Sequence, residues 1–258
     1  MKRFLLTTLA LGGLLLWAPA TFAQTQICIP QFVDGIVGPL RWQTTLIVHN
    51  QDQVRAQMQM NFYDSSGRPM SGMTMRNNAG RGPHNQVGPN GQFAPNPVGP
   101  RAGIGFRSNG QGPLQAGFVQ IQSQNRIQAH AMLHLLDAIG NNLSEVGISP
   151  HPPFRVGNFF LNHSDGAGGG VSLSNPSGTQ PATCNLEVFG EDETTPLGSA
   201  QVTLGPRGQL GRFIRELFPG ILSDGVGFVR ISCDQPVCGL ALHLRGLAMT
   251  QIPIFIEP

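Results

Sequence analysis

Side chains able to do chemistry are sparse in this 258-residue chain, and their spacing decides most of what can be read from them. His130 and His134 stand four apart, which on a helix would put two imidazoles on one face for a shared metal ion. The internal repeat described below places them on a strand instead. There they share a face but stand about 13 Å apart at about 3.3 Å per residue, too far for one ion, so they read as histidines on a partly exposed strand face. His163-Ser164-Asp165 and Glu191-Asp192-Glu193 offer oxygen ligands without the alternating spacing of a calcium loop, and read as solvated turns. Gly166 to Gly170 is similar in composition to a phosphate loop, yet it leads into a strand where helix-terminal amides would be needed, and reads as a flexible connection. No G-x-S-x-G elbow presents a nucleophilic serine and no C-x-x-C pair is present. The expectation is a non-enzyme with no catalytic residues, no metal and no cofactor.

The cysteines are Cys28, Cys184, Cys233 and Cys238, an even set that in an exported chain favours disulfides over metal ligation. Three pairings are formally open. Cys233 with Cys238 is favoured, because the two flank Asp234-Gln235-Pro236-Val237 as a hairpin loop, with Val229, Ile231, Leu240 and Leu242 on the same face. Cys28 and Cys184 are then left over, and their pairing would join the amino terminus to the second half.

The segment Ser71 to Pro113 is rich in Gly, Pro and Asn and carries Arg76, Arg81, Arg101 and Arg107 with no acid. Guanidinium forks suit phosphate or carboxylate groups, so these four arginines are the candidate binding residues, with an envelope polymer as partner. The plainer reading is a solvated insertion, long for a loop in a compact domain and either functional or poorly ordered. Trp42 and the lone Tyr63 lie near inferred strands and read as core or rim residues rather than a sugar platform.

The elements that must position these residues begin after a secretory signal. Lys2 and Arg3, the apolar run Phe4 to Trp17 and the small-residue site Thr21-Phe22-Ala23 predict cleavage after residue 23. The apolar run falls short of the about 20 residues a membrane anchor needs, and no second span follows. The expected location is secreted or periplasmic, with no transmembrane segment after cleavage. The formal charge of +2 falls to zero once Lys2 and Arg3 are removed, which argues against nucleic-acid binding. Arginines outnumber acids from Gln24 to Pro150, and acids outnumber arginines from His151 onward.

Period-two alternation marks strands at Arg55 to Phe62, Val171 to Ser174, Cys184 to Val188 and Gln201 to Leu204, all bounded by Gly, Pro, Asn or Ser. Asp64-Ser65-Ser66-Gly67 reads as a turn. Leu46 to Asn50 and Ala56 to Tyr63 match Val171 to Asn175 and Ala182 to Phe189. Gly117 to Ser123 matches Gly227 to Cys233, and Ile127 to Ala131 matches Val237 to Ala241 as a hairpin return. The proline-dense Pro150-His151-Pro152-Pro153 is the boundary, giving a first unit at 24–150 with an insertion at about 71–113 and a second at 151–258. Gln209 to Phe218 has Leu210, Phe213, Ile214, Leu217 and Phe218 at helical spacing and predicts a short helix before Pro219-Gly220.

An apolar strand ending in Asn, a turn, and a strand closing on Phe62-Tyr63-Asp64-Ser65-Ser66-Gly67 resembles the opening of tandem-repeat proteins that bacteria export. A degenerate copy spans Val171 to Glu191, with Phe189-Gly190 where the first copy has Tyr-Asp. The resemblance implies an all-β fold of two tandem immunoglobulin-like β-sandwich units and no settled activity. The functional expectation is a non-enzymatic extracellular or periplasmic binding or structural module that contacts an envelope polysaccharide or a partner protein. Two alternatives stand beside it: a secreted hydrolase whose site spacing cannot reveal, and a subunit that self-associates through strand edges or the opposite charges of its halves.

Overall fold

The computed structural model describes residues 25–77, 85–191, 194–221 and 225–257. The expected signal segment lies outside them. Among the described residues no helix is long and apolar enough to cross a membrane. The fold is all-β. The first half runs β1 (Thr25–Val37), β2 (Leu40–Asn50), β3 (Met58–Asp64), β4 (Thr74–Asn77), β5 (Asn85–Gln86), β6 (Gln92–Phe93), β7 (Gly103–Ser108), β8 (Gln115–Ser123), β9 (Ile127–Leu136) and β10 (Asn142–Ile148). The second half runs β11 (Phe154–Asn162), β12 (Ala167–Ser174), β13 (Ala182–Gly190), β14 (Gly198–Leu204), β15 (Gln209–Phe213), the one-turn helix α1 (Ile214–Leu217), β16 (Val226–Arg245), β17 (Ala248–Ile252) and β18 (Phe255–Ile256).

Alternation builds the first half. Met58, Met60 and Phe62 of β3 point into a core with Ile29, Phe32, Leu46, Val48, Val119 and Ile121, while Gln59 turns the other way. β1 pairs β8 over most of its length and β2 through Gly35 to Val37. A register shift between Ile29 and Phe32 spans Pro30, which has no N–H to give a ladder. The strand thus passes from one layer to the other, and the sheet curls nearly into a barrel. The arginine-bearing segment is part of this sheet: β4, β5, β6 and β7 pair within it, and Met75, Val87, Phe93, Val98 and Phe106 are buried in its core. Arg81 lies outside the described residues.

In the second half β16 does for two layers what β1 does in the first. Its beginning pairs β11 and β13, and its end pairs β12 and β17. The expected hairpin at Asp234 to Val237 is therefore not a reversal; the chain continues through it. On a continuous strand positions 233 and 238 fall on opposite faces, which overturns the Cys233–Cys238 pairing. Cys233, facing the second core, bonds Cys184 on neighbouring β13, and Cys238, facing the first half, bonds Cys28 on β1. Leu240 follows Cys238 into the first core, whereas Val229 and Ile231 belong to the second. The two disulfides fit an oxidising compartment.

Two further expectations change. Gln209 to Phe213 is strand β15, and only Ile214 to Leu217 is helical. Leu210 packs at the rim of the second core while Ile214 and Phe218 are buried in it, a spacing compatible with a strand followed by one turn. The glycine run is ordered strand: β12 begins at Ala167, and a Cβ on buried Gly169 would collide with the Leu161 side chain. Glycine there lets β11 and α1 close on β12.

Neighbouring strands follow one order in both halves. β6, β3, β8 and β1 match β14, β13, β16 and β11, and β7, β2, β9 and β10 match β15, β12, β16 and β17. They differ beyond β1, which pairs β2 where its counterpart β11 pairs β18, and beyond β7, where the first half adds β4 and β5. β15 has no such neighbour. Its outer edge meets the Asp64-Gly67 turn of the first half, where the Gln209 N–H donates to the Ser65 carbonyl at 3.0 Å.

Candidate functional site

The outward face of one sheet in the first half is the surface on which the second half sits. Cα partners across antiparallel strands carry their side chains on one face. Gln122 and Gln59, Gln120 and Asn61, Phe118 and Tyr63 are such pairs between β8 and β3, and Gln26 and Gln122, Cys28 and Gln120, Val33 and Ala116 are such pairs between β1 and β8. The middle of that face is covered. Tyr63 and Phe118, with ring centroids 5.4 Å apart, form a small core with Cys28 and Cys238. Arg207 lies over the Tyr63 ring at 4.9 Å. Ser172 and Ser174 hydroxyls both donate to the Pro30 carbonyl, at 2.6 and 3.0 Å, so the carbonyl at the bulge of β1 is satisfied by the second half. Gly67, at φ 83°, has no room for a Cβ because the Pro206 carbonyl occupies that space.

On one side of this seam lies a trough of about 420 Å³ lined by amides: Gln59, Asn61, Asn90, Gln92, Gln120 and Gln122. β3 and β8 supply its floor and β6 its wall. Asn61 and Gln120 are nearly inaccessible, held by the Gln59 amide donating to Asn61 Oδ1 at 2.9 Å and by the Gln120 amide donating to the Pro176 carbonyl at 2.7 Å. Pro176 also borders a second hollow of about 420 Å³ that contains Gln26, Gln235, Pro153 and Pro236. Among the described residues the one ionised group at the trough is Arg207, engaged with Tyr63. Each amide both donates and accepts without carrying charge. Such a lining matches hydroxyl groups, which have the same dual character, and makes no demand for an ion.

On the other side lies a cleft of about 550 Å³ between the halves, with apolar walls from Trp42, Leu114, Leu210, Leu242, Leu244 and Met249. Its polar floor is internally satisfied: the Gln209 amide donates to Gln31 Oε1 and to Ser172 Oγ, both at 2.7 Å. Trp42 and Tyr63 thus occupy the rim and the seam.

The described arginines of the Ser71 to Pro113 segment, Arg76, Arg101 and Arg107, are not gathered at either place. Arg76 and Arg107 are Cα partners across β4 and β7. Arg101 is in a turn before β7, about 20 Å from Arg107 along an extended strand, and its N–H donates to the Asp52 carbonyl. Arg107 turns toward His134. Thr45 Oγ1 is 3.0 Å and Arg107 Nη2 is 3.3 Å from His134 Nε2, and Glu145 Oε2 is 3.4 Å from Nδ1. Two donors facing Nε2 place the ring proton on Nδ1. Burial first and the Arg107 charge second hold the His134 pKa below the usual histidine value, against the opposing pull of Glu145. His134 is therefore buried rather than partly exposed, while His130 is exposed. Among the described residues no group of three or more His, Cys, Asp or Glu side chains is placed to hold a metal ion. His163 is buried and accepts the Gly169 N–H at Nε2, and Asp165 faces Arg245 at 3.8 Å.

Compared with protein families, curated proteins and solved structures, the chain matches none of them. The amide trough went unrecognised in the sequence because Gln59, Asn61, Gln120 and Gln122 count there only as the polar half of an alternation. The signal available was their type: amides at successive outward positions toward one end of two strands, where a solvated face would normally mix in charged residues.

Proposed function

We propose that the protein is a non-enzymatic extracellular or periplasmic binding module, built of two copies of one immunoglobulin-like unit, that holds an uncharged, hydroxyl-rich polymer such as an envelope polysaccharide. The observation that carries this is the amide trough, a concave surface whose many side chains can each donate and accept and whose buried members are already oriented. Preorganised polar groups of this kind fix a ligand with little further ordering cost. The matching strand order of the two halves supports reading them as copies of one unit. Their locked seam supports a rigid platform in which the second half supplies one wall of the site. Arg76 and Arg107 would add an anion contact where the polymer is acidic.

The test is co-sedimentation with insoluble polysaccharides at low and high salt, using the protein and a Gln59→Ala, Gln122→Ala double variant. Binding that is indifferent to salt and about tenfold weaker in the variant, from loss of about two net hydrogen bonds, supports the trough. Binding that the variant leaves unchanged, or no binding to any uncharged polysaccharide, overturns it. Binding lost only at high salt and in an Arg76→Ala, Arg107→Ala variant moves the contact to the arginines.

A further inference from the structure

The cleft between the halves has a chemistry the trough does not share. We infer that it takes an unbranched alkyl chain with an anionic headgroup, the chain lying between the halves and the headgroup at Arg212. Its volume of about 550 Å³ falls in the range of small-molecule sites, about 300–1,000 Å³. Leucines and Met249 predominate among its walls, flexible side chains that conform to a hydrocarbon. Leu114 and Phe213 are each 42% exposed, so the empty cleft leaves apolar surface in water that a chain would cover. The floor asks nothing polar of a ligand, because Gln209, Gln31 and Ser172 satisfy one another.

The mouth supplies the charge. Arg212 is exposed and donates a 3.5 Å hydrogen bond to the neighbouring Gly211 carbonyl, with no ion pair among the described residues. Arg215 lies over the Phe213 ring at 5.1 Å and lines the neighbouring hollow with His163 and Phe218. Among the described residues lining the cleft the one acid, Glu216, is held at 2.9 Å by the Phe213 N–H. A carboxylate or phosphate at the end of the chain would therefore meet the Arg212 guanidinium, with the Glu216 carboxylate already occupied.

An extended peptide is the competing occupant, and the backbone of β15 argues against it. Strand addition needs a free edge, yet the Gln209 N–H is taken by Ser65 and the Phe213 N–H by Glu216. An alkyl chain needs no such edge.

Trp42 lines the cleft and reports on it directly. The purified protein would be titrated with dodecanoate below its micelle concentration, following tryptophan emission and its quenching by a brominated fatty acid, with Trp42→Phe as the blank. Dodecanol serves as the neutral-headgroup arm, and an anionic lysophospholipid of equal chain length distinguishes a membrane-derived lipid from a free acid by which binds more tightly. Saturable quenching of Trp42 is expected, with dodecanoate bound about tenfold more weakly by Arg212→Glu and dodecanol unaffected. Absence of saturable quenching, or an Arg212→Glu affinity for dodecanoate equal to that of the unaltered protein, overturns the inference. The Gln59→Ala, Gln122→Ala variant should bind dodecanoate normally, so failure here and failure of the polymer reading are separable.

Discussion

The trough and the cleft lie on one face of one sheet and differ in almost everything else. Along β8 the residues of that face run from Gln122 and Gln120 through Phe118 to Ala116, and along β1 from Gln26 and Cys28 to Val33. Both ends are antiparallel ladder between β1 and β8, on either side of the bulge at Pro30. What separates them is residue type at alternate positions and what the second half lays beside each end: Pro176 and Arg207 at the amide end, Leu210, Leu242 and Met249 at the apolar end. A sheet face is therefore not one surface. The element docked across its middle divides it into two sites that can be tested independently.

The largest effect should come from releasing the seam. Cys28→Ser with Cys238→Ser removes a crosslink spanning 210 residues, and Cys184→Ser with Cys233→Ser removes one spanning 49. Chain-entropy reasoning gives losses of about 3–5 kcal/mol for each, larger for the longer loop. Urea unfolding measures that. The sharper distinction is in binding: the first pair of substitutions should weaken both sites, because it frees the halves from each other, while the second should leave the trough intact in molecules that still fold. Equal binding losses in the two variants would mean that the seam does not shape the sites.

A smaller effect is expected from Gly67→Ala. The position has φ 83°, and the new Cβ would meet the Pro206 carbonyl, so about 1–3 kcal/mol should be lost. Ser65 of the same turn lines the cleft and holds Gln209. Dodecanoate affinity should accordingly fall more than polysaccharide affinity, a difference that comparing the two assays on one preparation would show.

The smallest effect concerns His134, which faces Thr45 and Arg107. His134 is neutral in the fold because burial and Arg107 depress its pKa. A depressed histidine pKa leaves the unfolded chain binding more protons, so its stability contribution is complete above the ordinary histidine range and is lost as pH falls through that range toward the folded value. Thermal unfolding between pH 7.5 and 5 should show this loss as a falling midpoint, and His134→Gln should flatten it. A profile unchanged by the substitution would refute the assignment.

How much of this was legible in the sequence varies with the range of the interaction. β3, β12, β13 and β14 follow from alternation, because side-chain period reports local backbone geometry. The Asp64-Gly67 turn was readable for the same reason: Asp64 Oδ1 accepts the Ser66 and Arg68 N–H groups, a closure made entirely within the turn. That Gly67 also makes room for Pro206 was not readable, since the contact comes from the far half. The misreading of β16 has a similar origin. Asp234-Gln235-Pro236-Val237 has hairpin composition, but the Asp234 carboxylate accepts the Thr183 N–H of β13 and Val237 is buried opposite Phe154, so neighbouring strands hold the segment extended. The stretch from Ser71 to Pro113 was read by its Gly and Pro content, which conceals that Met75, Phe93 and Phe106 belong to the core.

By itself the sequence determined the all-β class, the positions of most alternating strands, the sparseness of charge and the even set of cysteines, because each depends on composition or on neighbours a few residues away. Tertiary structure alone decided which cysteines pair, where Arg107 and His134 meet, and that outward-facing amides and apolar side chains of the same strands end in separate cavities. Those outcomes depend on which strands become neighbours and on which face of β1 and β8 the second half covers, and side-chain alternation specifies a face without naming what will be packed against it.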